Sequence, residues 1–277
     1  MMKIVFKEKY ISIISDRELV KESNKIIVTG KKGKSFLEIK NNQLTLEIKD
    51  SIEIHEEYGE VSKVNYTLIL NNDVNVRNVS LIKQNNQFIN KNVIINENDN
   101  YEQVVIDLFK NDYEFKSIID INGTNSNCYS RIASMSASNK HIVVGVNHNT
   151  VGSSSKLDNY GVVTSNGNLL FEVTGSIKKG CKKSSVLQNN KIILFDKEST
   201  GEIKPLLYID ENDVSASHAA AVGKVDDNHI FYLMSRGINV TDAKKTIAMG
   251  YLKPVLEYIS DEKIKKEISL LMEKEVF

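Results

Sequence analysis

The chain has 277 residues, with 36 Lys+Arg against 36 Asp+Glu, so its formal charge is zero and no basic block stands out. That balance argues against a protein held to nucleic acid through phosphate contacts. The opening MMKIVFKEKYISIISDRELVKES lacks the basic segment and long apolar run of an export signal, and no apolar run is long enough to span a membrane. Cys128 and Cys181 are the two cysteines and stand far apart, so the expectation is a cytoplasmic chain with reduced thiols.

In the first half, short apolar/polar alternations recur at Ser35–Ile39, Leu44–Ile48, Tyr66–Leu70 and Val93–Ile95. Asn41-Asn42, Asn71-Asn72-Asp73 and Asn96–Asn100 separate them. A period of two bounded by Asn and Asp predicts strands and turns. The segment Tyr101–Phe109 fits either a strand or a helical turn and stays open on its pattern alone.

The second half repeats at about 30 residues. Ile132, Val162, Ile192 and Val222 share that interval, as do Val143, Val173 and Ile203, and Ser155, Ser185 and Ser215. Stacked β-branched residues suit a β-helix, in which each coil buries its inward row on the next. A β-sandwich is the alternative.

After Lys224 the period shifts to that of a helix. Asp226 or Asp227 caps a first helix with Ile230, Phe231, Leu233 and Met234 on its apolar side, and Gly237 closes it just beyond Arg236. A second helix starts near Thr241 or Asp242, with Ala243, Ile247, Leu252, Val255, Leu256 and Ile259 as its stripe and a break near Lys253 forced by Pro254. Ser260 offers a cap for a third, with Ile264, Ile268, Leu271 and Met272 on one face. The expected fold is mainly β: a right-handed parallel β-helix over 1–224, then a small helical domain over 225–277. The helices' apolar surface serves either as a cap on the last coil or as a groove for a partner.

The segments HNTVGSSS, YGVV, FEVTGSIKKGCKKSSVLQNNKIILF, IKPLLYIDENDVSASHAAAVG and HIFYLMSRGINVTDAKKTIAMGY follow one another between Asn147 and Ile259. In this order and spacing they resemble the C-terminal core of the SufB/SufD family of the SUF iron–sulfur cluster assembly machinery. The resemblance implies a β-helix with a C-terminal helical domain, here in a short form without the N-terminal helical domain of long members. SufB-like members place a cysteine at a position that falls on or next to Asn190, and a glutamate where this chain has Ala219. His218, in Ser-His-Ala-Ala, is similar to the SufD-type pattern.

By that resemblance the chain is a non-catalytic scaffold that docks the SUF ABC-type ATPase through its C-terminal helices. Arg236, Gly237, Ala243, Ile247 and Leu252 are the expected docking residues. It pairs with a SufB-type partner or forms a homodimer through its last coils. His218 is the expected metal ligand or interface residue, since a neutral imidazole can bind iron. Clusters are held mostly by four cysteine thiolates, so no cofactor is expected to stay on this chain alone; a transient iron–sulfur cluster would be shared with a partner. The rival readings are a β-helix enzyme acting on polysaccharide, or a structural adaptor without a cluster role. The acidic residues between Cys128 and Ala221 do not recur as a face, and no P-loop, GxSxG or HExxH motif is present.

Overall fold

The computed structural model describes residues 1–40, 42–83 and 86–276. Its middle is a parallel β-solenoid. One sheet stacks β5 (Ile52–Tyr58), β7 (Asn75–Ile82), β9 (Asn100–Asp107), β11 (Asn127–Ser136), β13 (Ser154–Val163), β15 (Ser185–Leu194) and β17 (Ser215–Lys224). The other stacks β4 (Gln43–Ile48), β6 (Val61–Leu70), β8 (Asn86–Ile95), β10 (Tyr113–Ile121), β12 (Asn139–His148), β14 (Asn168–Ile177) and β16 (Thr200–Ile209). Each strand bonds to the strand two places on, so one coil is two strands facing across a lumen. The expected β-solenoid is therefore the fold. Asn41 of the expected Asn41-Asn42 turn lies outside the described residues.

The 30-residue interval is only partly real. In-register partners run Asn75, Asn100, Asn127, Ser154, Ser185 and Ser215, steps of 25, 27, 27, 31 and 30 residues. Ile192 and Val222 do stack, as do Ser185 and Ser215. Ile132 sits under Asn159, however, Val162 under Ile193 and Ser155 under Val186. Val143 stacks on Glu172, and Val173 on Pro205. Turns between strands take up the differences, so the backbone stays in register while the interval in sequence drifts.

The two ends of the solenoid differ. At the start, β1 (Met2–Lys7) lies parallel to β5 and antiparallel to β2 (Tyr10–Glu22), and β2 forms a hairpin with β3 (Lys25–Ile39). This antiparallel layer buries Met2, Ile4, Phe6, Ile11, Ile13 and Val28 completely and closes the lumen. At the other end no strand among the described residues stacks on β17, and every residue of that strand is exposed.

The lumen is not uniformly apolar. Glu56 accepts from Lys91 Nζ at 3.0 and 3.1 Å, from Ser80 Oγ at 2.6 Å and from Tyr58 Oη at 3.0 Å. Lys91 also bonds Asn78 Oδ1, which accepts from Tyr101 Oη as well. Further up, Lys140 Nζ donates to Asp107 Oδ2 at 2.6 Å, and Ser134 Oγ shares that acceptor. Both ion pairs have side chains with no solvent exposure. Burial pulls the ammonium groups of Lys91 and Lys140 below their usual range.

Three helices follow: α1 (Asp227–Ser235), α2 (Val240–Leu252) and α3 (Glu262–Glu275), with a 3-10 turn over Lys253–Tyr258 where Pro254 breaks the regular pattern. Asp226 caps α1 by accepting from Asn228 N at 2.9 Å, as expected. Asn239 caps α2 and Asp261 caps α3, one or two residues away from the expected Thr241/Asp242 start and Ser260 cap. Gly237 adopts φ +86°; its N–H bonds Met234 O and the Ile238 N–H bonds Leu233 O, which closes α1 in a Schellman motif.

The helices do not cap the last coil. They run back along the flank of the odd-numbered strands. Ala248, Leu252, Val255, Leu256, Ile259, Ile268 and Met272 bury the outward side chains Val79, Leu81, Val104, Ile106, Met135, Val162 and Ile193. Ser260 Oγ bonds Glu53 on β5, and the ring of Tyr258 lies 3.4 Å from the Arg131 guanidinium of β11. This settles Tyr101–Phe109: Asn100–Asp107 is a strand, with apolar residues on both faces because the lumen takes Tyr101 and Val105 and the helices take Val104 and Ile106.

Removing one member of a buried pair leaves a charge without its partner. Lys91→Met is expected to cost about 3–5 kcal/mol in urea unfolding. Lys91→Met with Glu56→Gln should recover most of that loss.

Candidate functional site

The site of interest is the uncovered end. β17 is parallel and in register with β15, pairing Val186 with Ala216, Gln188 with His218, Asn190 with Ala220 and Ile192 with Val222. Val186, Gln188, Asn190 and Ile192 are the buried, lumen-facing residues of β15. Their partners therefore share the inward face, and His218 points toward the mouth of the lumen. It is exposed only because no further coil covers it. Gly201, Ile203, Pro205, Leu207 and Ile209 form the facing row on β16, in register with Leu169, Phe171, Val173, Gly175 and Ile177. The end of the solenoid is thus an apolar rim with one imidazole.

Directly beneath lies a polar patch in the lumen. Asn159 Nδ2 donates to Asn190 Oδ1 at 2.7 Å, and Gln188 Nε2 donates to Leu206 O at 3.1 Å. Asn159 Oδ1, Asn190 Nδ2 and Gln188 Oε1 are buried without a partner. Asn190, the position compared above with a family cysteine, is thus a buried amide one coil below Ala220.

The other sequence candidates lie apart from this end. Cys128 faces the lumen between Tyr101 and Ser155, and burial pushes its thiol up to about 12. Cys181 is buried with Ile177 and Val186. His148 is held from both ring nitrogens, by Ser153 Oγ at 2.7 Å and Ser155 Oγ at 2.8 Å. Among the described residues no three His, Cys, Asp or Glu side chains are grouped to hold a metal. The donor set at the open end is one imidazole, too few for a four-ligand cluster but enough to contribute one ligand to a shared site.

The expected docking residues divide. Arg236 and Gly237 are at the surface, and Arg236 Nη2 bonds Tyr232 Oη at 3.1 Å. Ala243 and Leu252 are fully buried, Leu252 against the solenoid flank, and Ile247 is half-buried on the same core. Ala243 and Leu252 cannot offer a free apolar face to a partner while the helices stay packed, whereas Ile247 keeps part of its surface open. Val240 and Leu270 are exposed elsewhere on the helices; Ile230 is the buried residue of α1, and three exposed apolar side chains lie together on that helix, Phe231 (72%), Tyr232 (57%) and Met234 (46%). Their period was legible in the sequence, but the face that α1 would leave open was not.

Sequence reasoning missed a groove of about 640 Å³ between the last coils and α2. Ile193, Ala221 and Gly223 form its floor, Ile247, Gly250, Tyr251 and Pro254 its wall, with Lys191 and Lys224 at its edge. No local pattern could reveal it, because its two sides lie far apart in the chain.

These features define a β-solenoid protein with a helical strap along one flank and one uncovered end. Residues 25–251 match the SufBD core domain of the SUF system for FeS cluster assembly. The match spans most of the chain, which therefore belongs to the SufB/SufD family. The chain is similar to the iron-sulfur cluster assembly protein SufD of Bacillus subtilis, 35% identical over 117 residues, covering 42% of this chain and 27% of that protein. It is 34% identical to SufD of Escherichia coli over 107 residues, 39% of this chain and 25% of that protein. The chloroplastic protein ABCI7 of Arabidopsis thaliana matches at 26% over 116 residues, 42% of this chain and 24% of that protein. The aligned part thus spans about a quarter of each of these relatives. Among the described residues no helix is long and apolar enough to cross a membrane.

Burial lowers the His148 imidazole to about 4 from an ordinary 6.5. The unfolded chain then binds the proton more tightly than the folded one, so stability is full above pH 6.5 and falls as the pH drops toward 4. The loss from this group is on the order of 3 kcal/mol. Thermal melts across that window should show a shallower decline for His148→Gln than for the wild type.

Proposed function

We propose that the chain is a scaffold subunit of the SUF iron–sulfur cluster assembly complex without catalysis of its own. Its uncovered end pairs with a SufB-type partner or a second copy, and His218 contributes one ligand to iron or to a nascent cluster held between the two. The observation that carries this reading is β17, a full-length strand whose free edge and inward face are both exposed, with His218 at the mouth of the lumen. A long unpaired edge is a template for pairing and is normally covered. A cluster is the cargo of this assembly, and the second subunit would supply the thiolates that this chain lacks.

The helices dock the SUF ABC-type ATPase, through the exposed side of α1: Phe231, Tyr232 and Met234, with Arg236 and Gly237 at its end. Ala243, Ile247 and Leu252 contribute indirectly, as buried or half-buried residues of α2, the helix on which α1 packs. The strap gives ATP-driven movement of the ATPase a route to the solenoid, because α2 and α3 are packed on its flank.

Size-exclusion chromatography with light scattering tests both contacts. The chain should form a stable complex with its host's SUF ATPase, and Phe231→Asp should abolish it with circular dichroism and melting temperature unchanged. Binding retained by that folded variant would sink the assignment of α1. Leu252→Asp should act differently, losing several kcal/mol of stability because it buries a charge in the flank core. Truncation after Lys224 is a poorer test, since it strips the cover from Val104, Ile106 and Val162. For the cargo reading, His218→Ala should lower the iron and sulfide recovered on the assembled complex while leaving assembly intact; unchanged content would refute it.

A further inference from the structure

We propose that Gln188 is the positioning residue for His218: when the exposed ring turns down into the lumen, the unpaired amide oxygen accepts the N–H of one ring nitrogen and leaves the other bare, facing whatever stacks on the open coil. This rests on the reading of His218 as a ligand and adds the group that orients it.

Gln188 lies one coil below His218 in register, on the same inward face, about 4.8 Å away along the stack. It has no solvent exposure. Its Nε2 donates to the carbonyl oxygen of Leu206 at 3.1 Å. A carbonyl can only accept, so that bond fixes which end of the amide is nitrogen and which is oxygen. Oε1 is then an acceptor, buried and without a partner. The lumen is shaped to hold the amide there: a Cβ on Gly175 would stand 3.2 Å from Gln188 Nε2 and 2.6 Å from Val186 Cγ2.

Below Gln188 in the same row is Leu157, which offers no polar side-chain atom. Above it is His218, flanked on its own inward face by Ala216 and Ala220, so no bulky neighbour keeps the ring from turning down. The imidazole is the polar side chain stacked directly above that acceptor, nearer in the row than the unpaired Asn190 Nδ2, whose residue stands about 7 Å along the same strand, and a buried acceptor left unpaired is costly. An imidazole whose N–H is held by a carbonyl has one tautomer, a fixed ring plane and a more basic second nitrogen. The terminal coil would then present a prepared nitrogen donor before any partner arrives.

The full chain labelled with ¹⁵N-histidine tests this by long-range proton–nitrogen spectra at a pH where the ring is neutral. His218 should occupy a single tautomer in the wild type, a mixture in Gln188→Leu, and a single tautomer again in Gln188→Glu, whose carboxylate accepts the same proton. A mixture in the wild type, or the same ratio in the leucine variant, overturns the proposal. If the leucine variant does not fold, Gln188→Asn, with an amide too short to reach the ring, serves in its place. Ferrous iron added without oxygen should broaden the His218 ring signals at concentrations roughly 10–100-fold lower in the wild type than in the leucine variant. If the tautomers behave as expected and iron broadens neither protein, Gln188 still positions the ring, and it is the ligand role of His218 that fails.

Discussion

Coil-on-coil hydrogen bonding is the constraint behind the architecture of this protein. Each strand is completed by the strand two places on, so a coil has no satisfied edge until the next is laid down. A solenoid built this way cannot finish itself. At the first coil the antiparallel hairpin of β2 and β3, together with β1, supplies the finish and buries Phe6, Ile11 and Ile13. At the last coil no such element exists among the described residues, because α1 to α3 turn away and run down the flank. Free edge, exposed rim and inward imidazole all follow from that one asymmetry.

The flank helices and the lumen solve different problems. The odd-numbered strands carry apolar residues on both faces, and the strap hides the outer set, so the helices belong to the solenoid's core rather than standing free of it. The lumen holds two buried ion pairs, Glu56–Lys91 and Asp107–Lys140. Such pairs are poor sources of net stability. Each joins strands from different coils, so a slip of one coil would strand two charges in an apolar interior.

Sequence is least informative where a residue's role depends on what covers it. Leu252 and Ala243 sit on the apolar stripe of a helix, and a stripe identifies a face without saying what lies against it; for Leu252 it is the solenoid. Phe231 and Met234 have the same period and are exposed. The 30-residue interval was found because β15 and β17 keep it, but it was extended too far, to Ile132 and Val143, which stack on Asn159 and Glu172. One signal went unread. Pro205 stands inside the strand-like run before His218, and a proline there marks an edge strand, since it has no N–H to give to a further neighbour.

The alternating strands and the caps at Asp226 and Gly237 depend on residues close together in the chain, and local chemistry is enough to decide them, while His218 was singled out by the resemblance to the SufD-type pattern. Tertiary structure decided the rest. It determined that the helices lie on the flank, that His218 faces the lumen mouth, and that Gln188, thirty residues earlier, lies directly beneath it. Those relations depend on coil lengths of unequal size and on which of two apolar surfaces covers the other. Both are settled only when the whole stack closes, because burial is a property of the assembled surfaces and not of any segment alone.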